Sequence, residues 1–327
     1  MLNLRSFGVS FLRKTVPVSL QKATMSCAAV QRVLATRKFT DVLDTRMSYL
    51  DTEEHGNKAV VFLHGNPTAA YLWRGVIPHV QGQARCLAPD LVGMGHSDKL
   101  KDPTKYRFVN HYEYLSAWIE KMDLPKKIFL VIHDWGSALG FHWANQHKDR
   151  VAGIAFTEAL VNALPNYDIF PDPAKSLFQA LRSPAGEEMV IQKNMFVEKM
   201  LPNSILRKLS EEEMNEYRRP YQEAGESRRP TLTWPREIPI KVDGPEDVIA
   251  IATDYHKWLA QSSDLPKLYI HANPGVFAPG IAKTVKDWPN LRSVTVKGLH
   301  FVQEDSPDEI GKYVSEFITG VGHYSKL

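Results

Sequence analysis

Lys127-Ile128-Phe129-Leu130-Val131-Ile132-His133-Asp134-Trp135-Gly136-Ser137-Ala138-Leu139-Gly140 decides how this chain folds. Five apolar, β-prone residues run into an acid, a Trp and a Gly. Apolar side chains then return at helical spacing, at Leu139 and Trp143. The pattern predicts a buried parallel strand that turns sharply into a helix, with one carboxylate at the apex. Such an apex is a nucleophile elbow, whose tight turn lifts one side chain above the sheet. The usual occupant is Ser; here it is Asp134. The plainer alternative, that Asp134 only caps the following helix, has to be weighed against the rest of the chain.

The 327 residues suffice for one large α/β domain with an insertion, and no stretch approaches the ~20 apolar residues of a membrane span. Two cysteines, Cys27 and Cys86, make neither a disulfide framework nor a metal cluster. Charge is uneven. Residues 1–39 carry seven basic side chains and no acid, which leaves the remainder with 33 basic against 37 acidic residues. The alkaline balance therefore belongs to the leader, and nothing points to nucleic acid. That leader reads as a mitochondrial transit peptide or a disordered tail, so the expected location is mitochondrial or cytoplasmic.

Outward from the elbow, Ala59–Leu63 is a continuous apolar run ending in His64-Gly65-Asn66-Pro67, the look of a strand buried on both faces. Ala84–Ala88 supplies another strand and Tyr112–Met122 a helix. Val151–Phe156, ending at Thr157-Glu158, follows the elbow's helix. Lys267–His271 and Arg292–Val296 are later strands, Glu246–Leu259 and Pro307–Phe317 later helices. Strands alternating with helices predict a doubly wound parallel sheet with ligands at the strands' carboxyl ends. Between them lies a stretch without clean strands, with helical blocks at Glu187–Met200 and Glu211–Tyr221. The expected organisation is a leader at 1–39, a core at 40–160 and 237–327, and a helical cap inserted at 161–236.

A nucleophilic carboxylate needs a base to activate water afterwards, an acid to orient that base, and donors for the departing group. His300, in Lys297-Gly298-Leu299-His300-Phe301 just after the last strand, is the candidate base. Glu158 is the candidate acid, because His271-Ala272-Asn273-Pro274-Gly275 offers no carboxylate after the later strand. Asn66 and Trp135 are the candidate donors. A carboxamide N–H and an indole N–H are neutral and suit a large, soft anion such as chloride or bromide. Their backbone N–H groups are candidates for an oxyanion hole. Tyr167, Phe170, Phe277 and Phe301 are candidate pocket walls. No metal or organic cofactor is called for.

These residues resemble the haloalkane dehalogenase branch of the α/β-hydrolase fold. The likeness rests on His64-Gly65-Asn66-Pro67, on Pro89-Asp90-Leu91-Val92-Gly93-Met94-Gly95-His96-Ser97 and on His133-Asp134-Trp135-Gly136, and it runs from about residue 40 to 317. Within that branch, Arg228–Pro239 and Lys297–Phe301 are similar to the cap and histidine loop of Renilla-type coelenterazine luciferases. The resemblance implies Asp134 as nucleophile, His300 as base, Glu158 as its partner, and Asn66 and Trp135 as halide ligands. The substrate it implies is small and apolar: a haloalkane releasing a halide ion, or coelenterazine with O2.

Two positions depart from the pattern. Ile132 stands two residues before Asp134, where the elbow normally has Gly, and a β-branched side chain there crowds the turn. Ser176 stands where the luciferases carry an acid, which weighs against oxygenation. Hydrolytic dehalogenation leads, with coelenterazine oxidation as the alternative. Epoxide hydrolysis would need tyrosines over Asp134, from among Tyr167, Tyr217, Tyr221 and Tyr255. A non-catalytic binding protein would be hinted at only by Ile132.

Overall fold

The computed structural model describes residues 27–53, 56–170 and 172–320. Residues 1–26, and with them most of the expected targeting leader, lie outside the described residues. The fold begins earlier than residue 40. Helix α1 (Cys27–Leu34) buries Ala29 and Val33, and β1 (Arg37–Val42) already pairs with β2 (Thr45–Asp51) in an antiparallel hairpin.

Among the described residues eight strands form one sheet in the order β1-β2-β4-β3-β5-β6-β7-β8. β3 (Ala59–Leu63), β4 (Arg85–Pro89), β5 (Ile128–His133), β6 (Val151–Ala159), β7 (Lys267–Pro274) and β8 (Leu291–Gly298) run parallel to one another. All five residues of β3 are buried, as the unbroken apolar run required. Helix α2 (Phe108–Lys121) starts one turn before the expected Tyr112, because Phe108 and His111 also face the core. Helix α3 (Asp134–Gln146) packs against α2, β6 and α8 (Glu246–Leu259). Eleven of its thirteen residues are buried, so its polar face has all but vanished. Fully burying a side chain such as Phe141 contributes about 1.5–3 kcal/mol.

Between β6 and α8 the chain leaves the sheet to build the cap. The cap holds α4 (Asp172–Arg182), α5 (Leu201–Asn203), α6 (Glu211–Arg218) and α7 (Arg229–Arg236). The block expected at Glu187–Met200 is two wide-pitched π-helical stretches, Glu187–Gln192 and Phe196–Met200. Asn194 parts them with φ +50°, a conformation Asn tolerates better than most residues. α6 opens with a reciprocal capping box between Ser210 and Glu213. Pro220 follows in a 3-10 turn, Arg219–Tyr221.

Cap and core are tied by a buried charge cluster. Glu304, on the short helix α10 (Val302–Asp305), accepts from Arg74 at 2.7 and 2.9 Å and also from Tyr217 and Arg207 of the cap. Such a cluster tolerates no missing member, since a buried unpaired charge is costly. α9 (Ala278–Val285) and α11 (Pro307–Thr319) complete the core. Among the described residues no helix is long and apolar enough to cross a membrane.

Candidate active site

Asp134 begins α3 with φ +49°, in the left-handed region that side chains normally avoid. Its surroundings hold it there. Asp134 Oδ1 accepts the backbone N–H of Asn66 at 2.8 Å. Gly65 makes the approach possible, since a Cβ at that position would stand 2.1 Å from Asp134 Oδ1. Ile132, the departure from the elbow pattern, finds its room one helical turn and a half along α3. A Cβ at Gly140 would lie 2.8 Å from Ile132 Cγ2, so a glycine absent from the usual place is supplied from the helix.

Glu158 closes β6, again with positive φ (+43°). The backbone N–H groups of Val276, Phe277 and Ala278, at the start of α9, donate to its carboxylate at 2.9–3.2 Å. Three such donors fix the carboxylate in one orientation. His300 stands between the two acids. Its Nδ1 lies 3.1 Å from Glu158 Oε2 and its Nε2 3.4 Å from Asp134 Oδ2. Burial works against an imidazolium here, but the hydrogen bonds and charges of Asp134 and Glu158 outweigh it and hold His300 up at about 9. Asp134 is shifted the opposite way. Burial would raise it, and the His300 hydrogen bond and charge bring it below the usual carboxylate range.

Asn66 and Trp135 come just after the carboxyl ends of the neighbouring strands β3 and β5, and both are buried. Asn66 Nδ2 donates one N–H to the Thr231 carbonyl of the cap at 3.1 Å. The Trp135 ring stacks on Trp234 at 4.6 Å, and Trp234 stacks on His111 at 4.2 Å. Among the described residues the Trp135 indole N–H has no protein acceptor.

The aromatic candidates divide. Phe277 stands edge-on to His300 at 5.3 Å, and Phe170 lies 6.0 Å beyond it. Phe301 touches His300 at 4.7 Å but packs into the cap cluster with Leu72, Val197 and Leu201. Tyr167 is a further ring away, and its hydroxyl donates to Asp243 at 2.6 Å. Of the tyrosines an epoxide hydrolase would need, Tyr217 is engaged on Glu304 and Tyr255 on the Leu160 carbonyl, while Tyr221 lies with its ring beneath the Lys99 ammonium and its hydroxyl buried without a hydrogen-bond partner among the described residues. Ser176 is on the exposed side of α4.

Sequence reading missed His133, Thr231 and Trp234. His133 Nε2 donates to the His300 carbonyl at 2.8 Å, tying the elbow to the histidine loop. Burial, then the neighbouring His300 charge, push it down to about 3, so it is neutral. Only its adjacency to Asp134 could have signalled this. For Thr231 the signal is Pro235 four residues later, which has no N–H for its carbonyl.

A family model described as the alpha/beta hydrolase fold matches residues 58–307, and the chain belongs to that family. Within it, the chain falls in the branch that holds haloalkane dehalogenases and a coelenterazine monooxygenase. It is 50% identical over 285 residues to a haloalkane dehalogenase of Sphingobium indicum, covering 86% of this chain and 95% of that one. It is 47% identical over 284 residues to the coelenterazine h 2-monooxygenase of Renilla reniformis, covering 87% and 91%. The crystal structure of a haloalkane dehalogenase from Bradyrhizobium elkani superposes with a TM-score of 0.82 at 40% identity, covering 87% of this chain and 97% of that one.

Proposed function

We propose that the chain is a hydrolytic haloalkane dehalogenase, with Asp134 as nucleophile, His300 as base, Glu158 as its orienting acid, and Asn66 and Trp135 as halide donors. The observation that carries this reading is an imidazole held between two carboxylates, one of them on the elbow where an acyl hydrolase has Ser. An Asp oxygen displaces halide from saturated carbon. The C–X electron pair leaves with the halide, towards the Asn66 amide and the Trp135 indole, and an alkyl ester remains.

That first step also prepares the second. Esterified Asp134 is neutral, so one of the two charges that keep His300 protonated disappears. Its proton affinity falls, and the ring becomes a base when water needs one. Water attacks the ester carbonyl carbon, and the backbone N–H groups of Asn66 and Trp135 suit the oxyanion that forms. Collapse releases the alcohol and restores the Asp134 carboxylate. The sum is haloalkane plus water to alcohol plus halide and a proton. The aromatic surroundings, Phe277, Phe170 and Trp135, favour a small apolar substrate.

The test is bromide release from a bromoalkane, together with quenched mass spectrometry of His300→Phe. The expected result is release by the parent and an alkyl adduct on Asp134 in the variant. Absence of both overturns the reading. A second reading, oxidation of coelenterazine with light emission, is supported by the 47% identity to the Renilla enzyme. Light no brighter than a serum-albumin control on mixing with coelenterazine removes it.

A further inference from the structure

We propose that one face of cap helix α7, through Pro235 and Trp234, sets the orientation of both halide donors of the core. The inference rests on the dehalogenase reading and deepens it. Pro235 lies inside α7 and has no N–H. In an unbroken α-helix the N–H of residue 235 would bond the carbonyl of residue 231. The Thr231 carbonyl is therefore left without its helical donor, in a residue that is fully buried. Asn66 Nδ2 fills the place at 3.1 Å.

The consequence for Asn66 is specific. A carbonyl can only accept, so the amide nitrogen end of Asn66 faces the cap and the carboxamide cannot turn over. Asn66 is then held at two points: its backbone N–H on Asp134, its side chain on Thr231. One N–H of the amide remains for the leaving halide.

Trp234 does the same for the other donor. It is buried, three residues from Thr231 and hence on the same face of α7. Its ring lies against Trp135 at 4.6 Å and 27°, and against His111 at 4.2 Å and 24°. Its own indole N–H is used on Met94 Sδ at 3.4 Å, which fixes its plane. Pro235 and Trp234 are positioning residues in this account; they act through Asn66 and Trp135.

The experiment is Pro235→Ala, which returns an N–H to compete for the Thr231 carbonyl and also improves helix propensity, so that folding is retained. The bromide inhibition constant is expected to rise about fivefold, the worth of one ordinary hydrogen bond, with a matching fall in the rate of ester formation. Ester hydrolysis in the same rapid-quench experiment stays unchanged, which general loosening of the fold would not allow. Trp234→Leu should weaken bromide by about fivefold through the lost ring stack, with Trp234→Phe recovering most of it. Bromide constants within twofold of the parent in both Pro235→Ala and Trp234→Leu overturn the proposal while the dehalogenase reading stands. A parent protein that neither binds bromide nor forms an ester removes both.

Discussion

The two ends of the site are built differently. At the acid end, Asp134 and His300 follow β5 and β8, Glu158 stands at the end of β6, and their partners are one another and core backbone N–H groups. At the leaving-group end, Asn66 and Trp135 also come from the core, but they are met by Thr231 and Trp234 of the cap. On the proposed mechanism, the groups that break and make bonds are thus all held by the core. The groups proposed to receive the leaving halide also contact the cap. If the proposed roles hold, a change in the cap is expected to retune halide handling without disturbing Asp134, Glu158 and His300.

Substitutions can break this contrast, beginning with the acid end. Asp134→Asn is expected to lower bromide release by about 10⁴-fold or more with the fold intact, measured in a preparation checked for deamidation. Glu158→Gln should cost about 10³-fold, because the ring loses both its orienting charge and part of its support as an imidazolium. Its steady-state ester should accumulate, since water activation suffers more than alkylation.

Stability against pH sharpens the same end. His300 is held at about 9 in the fold against an ordinary 6.5, so folding is favoured by its protonation. That contribution is fully present below about pH 6.5 and is lost as pH rises through about 9. The urea midpoint should accordingly fall between about pH 6.5 and pH 9.5, and fall less in Asp134→Asn. The smallest effect lies beneath the elbow. Gly140→Ala drives a methyl against Ile132 and should destabilise by about 1–3 kcal/mol, with relief in an Ile132→Ala background, as a double-mutant cycle in urea would show.

The acid end was legible in the sequence because each member sits where a strand stops. An apolar run followed by His133-Asp134-Trp135-Gly136, or by Thr157-Glu158, marks a strand end without any knowledge of tertiary structure. Ile132 was visible as a conflict, but its resolution was not. Nothing local links residue 132 to the missing side chain of Gly140, since the two meet only when strand and helix pack. The cap was legible as helical texture and no more. Asn194 at positive φ splits a block that composition alone reads as one helix. The partnership of Asn66 with Thr231 spans 165 residues. Yet Pro235 four residues after Thr231 did announce an unsatisfied carbonyl, a signal that sequence reading can use. The same reading placed the start of the core too late, because a basic leader and the strand Arg37–Val42 overlap in composition.

The most direct test of the account is a single turnover of excess enzyme with a bromoalkane in ¹⁸O-water. If Asp134 attacks carbon and water then opens the ester at the carboxyl carbon, the first alcohol released carries ¹⁶O from the protein, and the heavy isotope appears in the Asp134 carboxylate. An alcohol labelled with ¹⁸O in that first turnover, with Asp134 unlabelled, would mean that water attacks the substrate itself and that Asp134 is no nucleophile.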